Sequence, residues 1–254
     1  MNDLFDLSGH VALVTGGNAG LGLGMAKGLG KAGASIAIWG RKSDRNLAAQ
    51  QQLRGLGIEA EGFVCDVTDS DAVAAAMEQT IARFGRLDSC FANAGGSGIR
   101  KPFALLSAAD WKSTVDLNLN SVVYTFQAAT NQFVAQKSGG RLVVTSSIAA
   151  LLGVPGGGYA ATKAAVSGLV RSLAVELAPA GITANAILPG FIETEMSCNT
   201  PQAFQDACLR RTPRGTLGTI DDMQGISVFL AAPASNFVTG QSLVIDGGQS
   251  IFPM

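Results

Sequence analysis

The chain has 254 residues, 47% hydrophobic and 15% charged, and its 18 basic and 19 acidic side chains leave a formal charge of −1. That balance describes a globular chain with a large core and excludes a disordered or fibrous one; with no basic tract, neither nucleic acid nor an anionic membrane is expected as a partner. The charged share is below the usual ~25%, so part of the surface is expected to be buried between subunits.

The start, Met1-Asn2-Asp3-Leu4-Phe5-Asp6, has no basic n-region or apolar h-region. No apolar run reaches the ~18 residues of a membrane span. A cytoplasmic protein without a membrane partner is expected. Cys65, Cys90, Cys198 and Cys208 are scattered and His10 is the only histidine, so the thiols read as structural and no metal site is expected.

In chain order, Val11–Thr15 reads as a first strand opening into the glycine-rich turn Gly16-Gly17-Asn18-Ala19-Gly20-Leu21-Gly22. A second strand, Ser35–Trp39, ends in Gly40-Arg41-Lys42, and a helix begins at Ser43 or Asp44. A third, Glu59–Cys65, closes on Asp66-Val67, before a helix capped by Thr68 or Asp69. Leu87–Ala92 leads into Asn93-Ala94-Gly95, and a helix starts from Ser107. Arg141–Ser146 comes next, then the pair Tyr159 and Lys163, Thr183–Leu188, a helix near Thr219, and Ser242–Ile245. Most strands are apolar on both faces, as buried parallel strands are. Strand–helix alternation with right-handed crossovers gives an α/β fold: one Rossmann-like, doubly wound domain over residues 1–254. Its mainly parallel seven-stranded sheet is expected to carry helices on both faces. Residues 191–217 break the rhythm, with a short amphipathic stretch at Gln202–Leu209. Such a long connection leaving the C-terminal end of a strand reads as a substrate-covering lid.

The turn after the first strand suits a nucleotide pyrophosphate. Gly16, Gly20 and Gly22 let a phosphate approach backbone N–H groups at a helix N-terminus, where the dipole favours an anion. The spacing is Gly-x-x-x-Gly-x-Gly rather than the common Gly-x-Gly-x-x-Gly. At the tip of the second strand there is no acid to bond a ribose and repel a 2′-phosphate. Arg41 can fork onto such a phosphate, which favours NADP over NAD; the plain alternative is a solvated arginine at a helix entry. Asp66 can accept a bond from the adenine amino group or cap a helix.

Tyr159 and Lys163, at i and i+4, share a helix face. Bringing a phenol from a pKa near 10 towards 7 takes about 4 kcal/mol. A cation ~4 Å away supplies about 1 kcal/mol in water and about 4 at an effective dielectric near 20, so the pair works only in a cleft partly closed to water. Taken alone, an exposed helical pair is the plainer reading.

The motifs together resemble the short-chain dehydrogenase/reductase family over essentially the whole chain. Thr15–Gly22 looks like its cofactor turn, Asn93-Ala94-Gly95 like its motif after the fourth strand, and Asn118 like its relay asparagine. Ser147, Tyr159 and Lys163 match the remaining active-site members, and Pro189-Gly190, with Ile192 and Thr194, the segment touching the nicotinamide. The resemblance implies an NAD(P)-dependent oxidoreductase acting on a carbonyl or secondary alcohol. It gives Tyr159 the proton transfer, Ser147 a bond to the substrate oxygen, and Lys163 the lowering of the tyrosine pKa and a hold on the nicotinamide ribose. It also implies a homotetramer. The cofactor-binding set it implies is Gly16, Asn18, Gly20, Leu21, Gly22, Arg41, Asp66, Val67, Asn93, Gly95, Tyr159, Lys163, Pro189, Gly190, Ile192 and Thr194. Within the class, 3-oxoacyl-carrier-protein reductases and sugar-acid or polyol dehydrogenases look equally similar. Arg100, Lys101, Arg210, Arg211 and Arg214 are candidates to meet an acidic substrate, or are solvated charges. Ser146 competes with Ser147: counting back from Tyr159 selects Ser146, and aligning forward from the strand selects Ser147. Successive strand residues face opposite sides, so only one faces the cleft; Ser147 is preferred, because a loop absorbs a deletion more easily than a strand end. The other class of function, a cofactor-binding regulator without turnover, would have no need of Asn118, a serine, Tyr159 and Lys163 together.

Overall fold

Seven parallel strands form one sheet in the order β3-β2-β1-β4-β5-β6-β7. They are β1 (Val11–Thr15), β2 (Ser35–Gly40), β3 (Ala60–Val64), β4 (Ser89–Ala92), β5 (Gly140–Thr145), β6 (Ile182–Pro189) and β7 (Ser242–Ile245). The computed structural model describes residues 4–155, 157–195 and 197–251; Met1, Asn2 and Asp3 of the N-terminal reading, Gly156 before Tyr159, and Met196 lie outside them. All seven expected strands are present, with ends moved by one or two residues at several places. Every residue of β1, β4 and β6 is buried, which is why these strands read as continuous apolar runs rather than alternating ones. Register follows from the pairings Val11↔Ser35, Ala12↔Ser89 and Ser89↔Arg141.

The helices are α1 (Gly20–Lys31), α2 (Ser43–Gly55), α3 (Ser70–Phe84), α4 (Ala108–Val115), α5 (Ser121–Gln136), α6 (Gly158–Leu177), α7 (Gln202–Arg210) and α8 (Asp222–Ala231). Alternate strand residues feed two cores. On one face Leu13, Trp39, Leu142 and Leu188 pack with Met77 of α3, Phe126 of α5 and Val170 of α6. On the other, Val14, Ile38 and Val143 pack with Met25 of α1, Leu53 of α2 and Leu230 of α8. The buried Trp39 indole donates to Thr80 Oγ1 at 2.9 Å, so its N–H is satisfied inside the first core.

Asp69 caps α3, accepting from the N–H groups of Asp71 and Ala72, and Ser107 caps α4 in a reciprocal box with Asp110. Two expected caps differ. Helix α2 starts at Ser43 with Lys42 in the cap position and no side-chain bond, so neither Ser43 nor Asp44 caps it. Thr219 does not cap α8 either: its N–H and hydroxyl both donate to Asp222 Oδ2, because a carboxylate in the first turn reaches back as the stronger acceptor. Between α4 and α5 the helix widens into one π turn, Asp116–Asn120. Among the described residues no helix is long and apolar enough to cross a membrane. Cys65, Cys90, Cys198 and Cys208 are free, and burial pushes the Cys65 thiol up to about 12, which keeps it unreactive.

Candidate active site

Strand order runs outward in opposite directions from β1 and β4, so a crevice opens at their C-terminal ends. The glycine-rich turn lines it. Gly16 and Gly20 have φ of +65° and +50°, and a Cβ on Gly22 would lie 2.3 Å from the Gly16 carbonyl oxygen. The turn therefore folds back on itself as only glycine permits. Helix α1 begins on this turn with no side chain capping it and no acid in its first turn, so its free N–H groups and dipole fit an anionic pyrophosphate. Leu21 is half-buried against the second core.

A line of hydrogen bonds runs from this turn across the sheet. Thr15 Oγ1 accepts from the N–H groups of Asn93 and Ala94 at 3.0 and 2.9 Å, and Asn93 Nδ2 donates to the Thr15 carbonyl at 3.0 Å. Thr145 Oγ1 donates to Asn93 Oδ1 at 3.1 Å, and the Thr145 carbonyl accepts Lys163 Nζ at 2.8 Å. Asn118, on the π turn, accepts from Gly96 N–H at 3.0 Å and donates to the Thr114 carbonyl at 3.2 Å. A Cβ on Gly95 would stand 2.9 Å from Asn118 Oδ1 and 3.6 Å from Lys163 Nζ, so glycine there lets the loop close onto both. Thr145 escaped the sequence reading, and Thr15 entered it only as the first residue of the cofactor turn, without the side-chain bonds that join it to Asn93 and Ala94.

Tyr159 stands in the first turn of α6 and Lys163 one turn later, its Nζ 5.7 Å from the phenol ring centre. Burial drives the Lys163 ammonium down to about 8. Burial also raises the Tyr159 phenol, against a hydrogen bond with Ser147 and the charge of Arg100, which both lower it. The net upward shift departs from the expected depression: the low dielectric that strengthens a cation's pull also penalises the phenolate itself. The two serines separate. Ser146 Oγ points inward, 3% exposed, donating to the Lys163 carbonyl at 2.8 Å and lying 3.3 Å from Ser167 Oγ. Ser147 Oγ faces the phenol and accepts from Ala149 N–H at 3.1 Å.

At the other end of the cleft, Arg41 is exposed and its charge acts on Asp66. Burial raises the Asp66 carboxyl, but bonds from Thr68 N–H and hydroxyl, with Arg41, hold it below its ordinary value. Asp66 is not the helix cap, a place Asp69 takes. Val67 turns its side chain into the first core. Gly190 N–H donates to the Ile245 carbonyl, and Ile192 is buried and bridges Gly218, closing the base of segment 191–217. Thr194 lies beside Gly20, and Glu195 pairs with Arg45 of α2 at 3.1 Å, so this segment crosses the glycine-rich turn. Phe191 meets Phe204 of α7 edge-on at 5.8 Å.

A family model described as enoyl-(acyl carrier protein) reductase matches residues 16–250. Gluconate 5-dehydrogenase of Gluconobacter oxydans (strain 621H) is 36% identical over 252 residues, 98% of each chain. This chain belongs to the short-chain dehydrogenase/reductase family. Among solved structures, a gluconate 5-dehydrogenase from Burkholderia cenocepacia J2315 in complex with NADP and tartrate superposes with a TM-score of 0.92 at 36% identity, covering 98% of both chains. A 7α-hydroxysteroid dehydrogenase complexed with NADH and 7-oxo glycochenodeoxycholic acid reaches 0.93 at 31% identity, covering 98% of this chain and 97% of that one. The dehydrogenase is therefore an NAD(P)-dependent oxidoreductase that transfers hydride between a nicotinamide cofactor and a carbonyl or secondary alcohol.

Proposed function

We propose that Tyr159 is the general acid/base, Ser147 binds the substrate oxygen, and Lys163 and Asn118 position and charge the site. The observation that carries this is the half-buried Tyr159 phenol, hydrogen-bonded to Ser147 and with Lys163 Nζ, one helical turn on, 5.7 Å from its ring centre. When bound, the nicotinamide supplies or accepts the hydride. Ser147 holds the substrate oxygen while Tyr159 exchanges a proton with it. The Lys163 ammonium, in a site of low dielectric, stabilises the phenolate and holds the nicotinamide ribose. Asn118 fixes the loop at Gly96 beside them. Tyr159→Phe should abolish turnover while the protein still binds cofactor; turnover of accepted substrates that survived the change would sink the assignment.

Gly16, Asn18, Gly20, Leu21 and Gly22 are assigned to the pyrophosphate, Asp66 and Val67 to the adenine, and Asn93 and Gly95 to the ribose side. Pro189, Gly190, Ile192 and Thr194 are assigned to the nicotinamide. Arg41, with no acid at the tip of β2, favours NADP, and the Burkholderia relative carries NADP. For the substrate, the charge of Arg100 reaches Tyr159 while Lys101 is tied to Asp110 at 2.8 Å. Arg100 is therefore the basic residue of the loop placed to hold a carboxylate, and a sugar acid is the substrate class we favour. A panel of sugar acids, simple ketones and acyl thioesters, each run with NADH and NADPH on the parent and on Arg100→Ala, tests both choices. A preference for NADH, or sugar-acid turnover indifferent to Arg100, counts against them.

We read the chain as one domain with residues 191–217 as its lid. Limited trypsin digestion should cut first at Arg210 and Arg211 and be slowed by substrate with cofactor; first cuts elsewhere argue against it. With a charged share of 15%, below the usual ~25%, the chain is read as a homotetramer that buries surface between subunits, which a sedimentation measurement showing a monomer would refute. The free thiols suit the reducing cytoplasm, a location that fractionation of the host cell checks.

A further inference from the structure

The tip of β2 is closed by two amides. A Cβ at position 40 would lie 2.3 Å from Asn18 Nδ2 and 2.5 Å from Asn46 Oδ1, closer than such atoms approach. The two amides are themselves bonded, Asn18 Nδ2 donating to Asn46 Oδ1 at 2.6 Å. Asn46 is 2% exposed and cannot swing aside. Its Nδ2 donates to the Gly40 carbonyl at 2.8 Å and to the Phe63 carbonyl at 2.9 Å, so both donors face carbonyls and its oxygen must face Asn18. One side chain of α2 thus joins the ends of β2 and β3 to the glycine-rich turn.

Position 40 is where a dinucleotide-binding α/β fold places the acid that bonds the ribose hydroxyls. Here a side chain at that place would meet the Asn18 amide head-on. A carboxylate would also face the Asn46 oxygen, acceptor against acceptor, in a buried setting where that repulsion is strong. Arg41, the next residue, is exposed and is the charge left at the tip.

We propose that the Asn18–Asn46 bridge is a specificity-determining pair: it fills the space a ribose-binding carboxylate would need at position 40, holds that position to glycine, and leaves the choice of adenosine phosphate to Arg41. This rests on the assignment of the β2 tip to the adenosine end of the cofactor. It adds that cofactor preference cannot be changed at position 40 alone.

The test is binding of NADH and NADPH, read by fluorescence titration, with melting temperature as a control for folding. Gly40→Ala, which adds one methyl group and no charge, should weaken both cofactors by about tenfold or more, whereas the same substitution made in an Asn18→Ala chain and measured against Asn18→Ala alone should cost much less, because residues in contact are coupled. Gly40→Asp alone should bind both poorly. Combined with Asn18→Ala and Asn46→Ala it should bind NADH at least about tenfold better than Gly40→Asp does. A Gly40→Ala chain with both affinities and melting temperature unchanged overturns the proposal. So does a Gly40→Ala defect, in binding or melting, that Asn18→Ala leaves as it was, or a folded Gly40→Asp chain that by itself takes NADH in place of NADPH. If an aspartate chain does not fold, the two alanine substitutions still decide. The NADP reading fails separately, if the unmodified protein binds NADH more tightly than NADPH; the coupling between positions 40 and 18 is measurable in either case.

Discussion

Lys163 is fully buried and its ammonium titrates near 8, against an ordinary value of 10.5. The sign of the linkage follows. The folded chain holds this proton less well than the unfolded one, so the stability Lys163 contributes is full above 10.5 and is lost as pH falls through 8. A separation of 2.5 units corresponds to about 3 kcal/mol of penalty at pH 7, most of it present, and about 1.4 kcal/mol at pH 9.5. Lys163→Met removes the charge and the titration together. It also removes the 2.8 Å bond to the Thr145 carbonyl, a loss of about 1–3 kcal/mol that does not vary with pH. The absolute stability change therefore mixes two opposed effects, whereas its pH dependence isolates one. Urea unfolding of both proteins at pH 7 and pH 9.5 should show the variant gaining about 2 kcal/mol on the parent at the lower pH. The same variant should lose turnover, because the charge that strains the fold is the one the phenolate needs. A stability difference flat across that range would show that the ammonium is solvated, and the electrostatic account of Tyr159 would go with it.

The adjacent serines should behave oppositely. Ser147→Ala should cut kcat by about 10²–10³, as loss of a donor to a developing oxyanion does. Ser146→Ala should change kcat only a few-fold, because Ser167 Oγ still donates to the Lys163 carbonyl at 3.1 Å, with about 1 kcal/mol of stability lost; steady-state kinetics giving the reverse order would exchange the two roles. At the opposite, N-terminal ends of the strands, burial lowers His10, just before β1, to about 4, with Asp88 opposing and Arg141 and Arg86 adding to the shift. The unfolded chain takes up this proton near 6.5, so folding is weakened as pH falls from 6.5 towards 4. His10→Gln should remove about 2 kcal/mol of the stability lost between pH 7 and 4.5, and urea unfolding curves for the two proteins that lose stability in parallel would refute it.

The readable parts of this molecule are those in which one residue type has one local use. Seven runs became seven strands, most plainly β1, β4 and β6, in which every residue is buried. Tyr159 and Lys163 were legible because their four-residue spacing, which puts them on one helix face but which many helices share, came together with the glycine-rich turn and Asn93-Ala94-Gly95. Thr145 was not, because its carbonyl is what receives Lys163, and a carbonyl has no signature in a sequence. Asn46 was hidden for a related reason: it lies in the first turn of α2, six residues beyond Gly40, and its partners on the turn and on β3 are brought to it only when the sheet assembles. The missing depression of Tyr159 has the same origin. Spacing shows which charge stands beside the phenol, but desolvation is set by everything packed around it, and here desolvation wins. Chemistry carried by side-chain identity can thus be read along the chain. Positioning carried by backbone groups and by burial exists only between elements.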